Sequence, residues 1–312
     1  MNKGHDRLNL LRTFVRISDA VSISAAARDL GLSQPTASRH LADLESHLKA
    51  QLMRRTTHSL ALTAAGRELL AEARQMLGAW EALEEKFLVN EKQARGRLTV
   101  VAPVALGQLH LMQLVSGLLE EHPQISLAWL LEDRVIRFSE VGCDCWIKIG
   151  SVPDETLVVK RVGEVERLVV ADASFWSTSA GEQRRAPSES LPWLVLDPFE
   201  GSRIPLRSTT GESLDLQPRP RLRTNNIIAL REAVLRGLGV AILPRWFIDS
   251  ELQSGRLVDC WPSWRAPTLP VHLARLPGRH QPRRLTLFFD CMRSAIPSLP
   301  GISPAVAAVP VD

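Results

Sequence analysis

Between residues 9 and 20 the apolar side chains Leu10, Leu11, Phe14, Val15 and Ile17 recur at the spacing of one helix face, which predicts a first amphipathic helix. Ser22 then offers a cap, Ala25, Ala26 and Ala27 keep the following helix slim, and Gly31 ends it. A third helix is predicted from Ser33, with Ala37, Leu41, Leu44 and Leu48 on its inner face. Pro35 sits among them, and its place is informative. With Ser33 as cap, Gln34 is the first helical position and Pro35 the second, where a backbone N–H has no intrahelical acceptor and its loss costs almost nothing. The apolar-polar rhythm of residues 51–66, around Arg54, Arg55, Thr56, Thr57 and His58, predicts a small hairpin.

From Thr63 a long helix is predicted to about residue 89. Leu69, Ala73, Met76, Trp80, Leu83 and Phe87 are spaced four, three, four, three, four, a heptad seam that calls for a facing helix. That partner is either the same helix of a second copy or the chain's own C-terminal part. After residues 94–97, which read as a hinge, strand and helix signals alternate: strands at "LTVVA", 125–131, 143–149, 167–170, "WLVL" (193–196), "VAIL" (240–243) and "VHLA" (271–274), and helices at 106–121, 226–236 and 285–294. Such alternation predicts an α/β fold with largely parallel sheets. The proline-rich end from Pro297 predicts a disordered tail.

Composition adds little to this picture, but the distribution of charge does. The 312 residues carry 38 Lys and Arg against 34 Asp and Glu, a net +4, and residues 1–66 alone hold nine basic and five acidic residues, also +4. The excess lies where a short-helix module could meet phosphate. The N-terminus is too polar for a signal peptide and no run of about 18 apolar residues occurs, so a cytoplasmic protein without a membrane partner is expected. Cys143 and Cys145 form a lone C-x-C without a second ligand pair, and with Cys260 and Cys291 they read as reduced thiols; no metal and no cofactor is expected. No GxSxG, P-loop, HExxH or strand-following GxGxxG is present. An enzyme is therefore not expected, because it would leave the N-terminal part unexplained; a small-molecule binding module with no regulatory DNA role is the second reading.

Two short helices joined by a Gly-containing turn make a helix-turn-helix, whose second helix enters the major groove with its N-terminus leading. This points to double-stranded DNA and to Ser33, Gln34, Pro35, Thr36, Ser38, Arg39 and His40 in the first turns, with Arg54, Arg55 and Thr57 of the hairpin beside the backbone. Gln and Arg side chains can pair with adenine and guanine edges. In an α/β fold, ligands collect at the carboxyl ends of strands. Those ends are Pro103, Val104 and Ala105, Gly150 and Ser151, Pro198 and Phe199, and Thr224, Asn225 and Asn226, with Asn225 and Arg203 as polar candidates; they are either effector contacts or plain strand-end residues.

"SISAAARDLGLSQPTASRHLADLESHL", then "LMRR" and "LTAAG", resembles the winged helix-turn-helix of LysR-type transcriptional regulators. Val21, Lys49 and Met53 depart from that pattern, Lys49 standing where the family usually has glycine. "GRLTVVAPVALGQLHL", "GCDCWIKIGSVPDETLVVKRVG" and "LRGLGVAILP" resemble the family's effector domain, and the "AP" and "IKIG" pieces its subgroup that includes CrgA and AaeR. The resemblance implies a multidomain chain. Residues 1–66 would be an all-α winged helix-turn-helix domain, 67–95 a linker helix for dimerisation, and 96–296 a two-lobed α/β domain like a periplasmic binding protein, with a tail at 297–312. It implies regulation by a small-molecule effector bound between the lobes, and a homodimer or homotetramer. It leaves RNA polymerase open as a further partner.

Overall fold

The computed structural model describes residues 6–20, 22–55, 60–87, 94–179, 186–197, 199–200, 203–278 and 281–305. Helix α1 (Arg7–Ala20) buries Leu10, Phe14 and Ile17 against α2 (Ile23–Asp29) and α3 (Gln34–Leu48). Each helix starts where the sequence placed a cap: Ser22 Oγ accepts from Ala25 N at 3.3 Å, and Ser33 Oγ from Thr36 N at 3.2 Å. Gly31 turns the chain between them at φ +65. Lys49 caps α3 in the left-handed region at φ 51, as the only non-glycine residue with positive φ among those described. Leu48 was expected to face inward, but it is 46% exposed, because α3 ends there and the module's core closes one turn earlier on Leu41 and Leu44.

Strands β1 (Met53–Arg55) and β2 (Leu60–Leu62) form the antiparallel wing, and Met53, the departure from family pattern, fills the module's core. Helix α4 (Ala64–Phe87) follows, capped by Thr63 Oγ1, which accepts from Gly66 N at 3.0 Å. Thr63 also donates its N–H to Leu52 O, so the helix start is fastened to the residue before the wing.

The remaining chain builds two α/β lobes on one twelve-stranded sheet. Strand β3 (Gly96–Ala102) leads into one continuous helix made of α5 (Val104–Leu106), a π turn (Gly107–Leu111) and α6 (Met112–Glu121), and then into β4 (Ile125–Leu131). After α7 (Phe138–Val141) comes β5 (Cys145–Ile149), so that β4 and β5 flank β3 in parallel. Helical crossovers permit that parallel pairing. The long β6 (Val158–Asp172) crosses to the second lobe, which holds α8 (Ala173–Ser179), β7 (Trp193–Leu196), the β8 (Ile204–Ser208) and β9 (Ser213–Leu216) hairpin, and β10 (Leu222–Thr224). Its remaining elements are α9 (Ile227–Leu235), β11 (Val240–Pro244), α10 (Arg245–Gln253) and β12 (Leu257–Asp259). Strand β13 (Trp264–Arg275) returns to the first lobe, and α11 (Arg283–Ala295) packs against it.

The sheets are mixed rather than largely parallel. β7 pairs in parallel with β10 and β11, but the crossing strands β6 and β13 run antiparallel to each other and to β11 and β5. Their register shifts between Ala266 and Leu269 and again between Val271 and His272, where the two lobes meet. The expected tail also differs: β14 (Ile302–Pro304) pairs with Gly163, Glu164 and Val165 of β6, and Ile302 is buried. Proline is acceptable there because an edge strand needs only half of its N–H groups.

Candidate nucleic-acid interface and inter-lobe cleft

Gln34, Pro35 and Arg39 are exposed at the start of α3, with Thr36 and Ser38 partly exposed beside them. The hydroxyls of Ser33 and Thr36 lie 2.8 Å apart, so one rotor braces the other while Ser33 caps the helix. Amides of a first helical turn carry the positive end of the helix dipole, a setting that favours phosphate. Arg54 is exposed on β1; Arg55 pairs across the wing with Leu60 through its backbone, its side chain lying outside the described residues, as does all of Thr57. His40 differs from expectation. Its Nδ1 meets Thr13 Oγ1 at 2.9 Å, so that edge of the ring ties α3 to α1 instead of facing solvent. Glu45, within the family-like stretch but without an expected role, accepts the N–H groups of both Leu52 and Met53, at 2.7 and 3.1 Å, and so fixes the wing relative to α3.

Helix α4 presents two faces. Leu70, Ala73 and Leu77 are buried within the chain, which removes Ala73 from the expected intermolecular seam; its Cβ lies on the stripe that covers α1 and α7. Met76, Trp80, Leu83 and Phe87 form the adjoining stripe at 56, 39, 38 and 71% exposure, with Leu69 partly covered by the module's core. Near the base of α4, Asp19 of α1 receives Arg74 of α4, Arg97 of β3 at 3.4 Å and Arg16 at 3.8 Å, and Arg284 of α11 bonds both Glu81 and the carbonyl of Arg97. One carboxylate thus joins three parts of the chain.

A cavity of about 310 Å³ opens between the lobes, within the usual range for small-molecule sites. Of the expected contacts, Pro103, Ala105, Phe199 and Asn225 line it. The rest do not. Val104 turns its N–H to Asp133 Oδ1 at 2.9 Å, Gly150 donates to Pro270 O, and Ser151 is exposed beyond the wall. The side-chain oxygen of Thr224 accepts from Asn226 N, while Asn226 caps α9 through Ala229 N. Arg203 lies on the outer surface in an ion pair with Asp215 at 3.1 Å, because the alternation of β8 buries Ile204 and Leu206 and turns Arg203 away. Pro198 lies outside the described residues.

The cavity's charged groups were missed. Arg167 and Glu200 form a buried ion pair at 2.6 Å, with Leu196 N donating to Glu200 and Arg167 Nε to Pro267 O. Burial raises Glu200 to about 7, against the pull of Arg167. Lys148 of β5 is 7% exposed and donates to the carbonyl of Asp133 at 3.0 Å. Its Nζ stands 5.8 Å from the centre of the Trp146 ring and 6.0 Å from that of Phe199. Burial lowers the pKa of Lys148 and raises that of Asp133. The thiols of Cys143, Cys145 and Cys260 are buried and pushed well up, which leaves them protonated and weakly nucleophilic.

The sequence model of the bacterial regulatory helix-turn-helix proteins of the LysR family matches residues 8–67, and that of the LysR substrate binding domain matches residues 91–297. The chain belongs to the LysR family of transcriptional regulators. As in that family, a helix-turn-helix DNA-binding domain precedes a two-lobed effector-binding domain. Among LysR-type relatives, PtxR of Pseudomonas aeruginosa is 28% identical over 299 residues, 93% of each chain. The transcriptional activator AaeR of Escherichia coli is 26% identical over 267 residues, 86% of each. A full-length OxyR variant from Pseudomonas aeruginosa shares the fold, with a TM-score of 0.70 over 98% of this chain and 99% of its own at 19% identity. No helix among the described residues is long and apolar enough to cross a membrane.

Proposed function

We propose that this LysR-type regulator is a cytoplasmic, non-enzymatic, sequence-specific DNA-binding protein. In this reading Gln34, Thr36, Ser38 and Arg39 meet the major groove, the wing meets the backbone through Arg54 and Arg55, and an effector in the inter-lobe cavity biases the arrangement of paired chains. The observation that carries it is the capped, solvent-facing start of α3, with Arg39 exposed beside a wing that Glu45 holds in register. Two copies joined along Met76, Trp80, Leu83 and Phe87 would present two such helices, and an effector shifts that assembly only by its difference in affinity for two arrangements.

The test is fluorescence anisotropy with a labelled fragment of the protein's own upstream region. Affinity should fall steeply with salt, as phosphate contacts require, and Arg39→Ala should cost about 1–3 kcal/mol with relaxed preference at one base. Wild-type affinity for Arg39→Ala would remove that residue from the interface. Binding without sequence preference at physiological salt would refute the regulator's specificity.

A further inference from the structure

Lys148 is a cation with an unfilled role. It is nine-tenths buried, yet no carboxylate lies within 4 Å of its Nζ among the described residues, and the one acceptor it has is the carbonyl of Asp133. An ammonium has three donors, so two remain for another group. Asp133 and Glu132 attract Lys148, but neither carboxylate makes a contact ion pair with its Nζ. Moving such a charge out of water is unfavourable unless it is closely paired, so a buried lysine with no contact ion pair at the wall of a cavity marks a place for an anion. The acids around the cavity each hold another group, Glu132 the N–H of Arg134 at 2.9 Å. Glu200 holds Arg167, Asp197 holds Arg223 at 2.5 Å, and Asp133 accepts the amide of Val104. With Glu200 and Asp197 committed to Arg167 and Arg223, Asp133 is the one acid of the lining left beside Lys148 and the exposed Arg134.

The rest of the wall is apolar: Leu106, Val165, Phe199, Ile242, Trp246 and Leu269 face the same space. A volume of about 310 Å³ matches roughly ten water volumes, room for a ligand of about ten to fifteen non-hydrogen atoms. We propose that the inter-lobe cavity takes a small monocarboxylic acid with an apolar body, its carboxylate on Lys148 Nζ and its body against Phe199 and the aliphatic wall. This rests on the reading of the cavity as the effector site and adds the ligand's charge and the residue that selects it.

Matched acids and amides test it, because benzoate with benzamide and hexanoate with hexanamide differ little in shape but by one charge. Calorimetric titration of the full-length protein should show each acid binding at least about tenfold tighter than its amide, the worth of one charge-assisted hydrogen bond. Lys148→Met should abolish that preference and Lys148→Arg retain it, with far-UV circular dichroism showing all variants folded. Asn225→Trp, at an exposed position on the cavity's rim, should block acids and amides alike. If Asn225→Trp blocks binding while Lys148→Met keeps the acid preference, the assignment of Lys148 fails and the cavity reading stands. If acids bind the Asn225→Trp protein as well as wild type, the cavity reading itself fails. Equal affinity for acid and amide in the wild-type protein, or no binding of either acid at millimolar concentration, overturns the proposal.

Discussion

Helix α4 contains two glycines whose replacement by alanine should have opposite signs. At Gly66 an added Cβ would stand 2.9 Å from the carbonyl carbon of Leu52, closer still to its oxygen, and 3.1 Å from Leu62 Cδ2. That carbonyl cannot retreat freely, because it accepts the Thr63 N–H at 3.0 Å and the Thr63 hydroxyl at 3.2 Å, while Glu45 holds Leu52 N. Overpacking of this kind costs about 1–3 kcal/mol, and a lost hydrogen bond a further ~0.5–1.5, against ~1 gained in helix propensity. The net expectation for Gly66→Ala is a loss of about 1–3 kcal/mol confined to the DNA-binding module. At Gly78 the nearest atom to an added Cβ is Pro282 Cγ at 4.0 Å, so Gly78→Ala should gain up to ~1 kcal/mol. All eight tryptophans lie at or beyond position 80, so indole fluorescence is a poor probe of the module. Amide hydrogen exchange of α1 to α3, read by mass spectrometry, measures it directly. Protection of α3 should drop for Gly66→Ala and hold for Gly78→Ala, and operator affinity should follow. Unchanged α3 protection in Gly66→Ala would show that the Leu52 carbonyl yields and that the argument from close approach is wrong.

Lys49→Gly should relieve the left-handed cap of α3 and stabilise the module by about 0.5–1 kcal/mol, reduced by the added freedom of the unfolded chain, and a fall in protection would contradict this. Trp80→Glu should yield a monomer by sedimentation at micromolar concentration with its far-UV circular dichroism unchanged, whereas an unchanged mass would place the interface elsewhere. Glu200 provides the pH test: its folded pKa of about 7 exceeds the ordinary 4.5, so the native state binds more protons than the unfolded one between those values. Stability should therefore decline as pH rises from about 4.5 to 7, by at most roughly 3 kcal/mol, and Glu200→Gln should flatten that slope. A slope retained in the variant would assign it to another group.

The N-terminal module was legible because its signals are local: Ser22 and Ser33 cap within three residues, Pro35 marks a first turn, and Gly31 turns the chain. Lys49 stood out as a departure for a reason the backbone confirms. The cleft was less legible because its polar groups are defined by distant partners. Lys148 sits in a strand whose neighbours are buried on both faces, so periodicity marked it as one more core position. Glu200 gains its meaning from Arg167, thirty-three positions away, while the polar candidate Arg203 is turned outward by the alternation of β8. Strand β14 was hidden by prolines that suit an edge as well as a tail.

The two crossing strands have a genealogical consequence. The second lobe is one uninterrupted stretch, about residues 165–266, inserted into a first lobe that closes only when β13 and α11 return. One recombination event with both ends in β6 and β13 would exchange half of the cavity wall as a block, Arg167, Phe199, Glu200, Asn225 and Trp246 together, while Lys148 and Asp133 stayed behind. Such a chimera would inherit its preference for ligand charge from one parent and for ligand shape from the other.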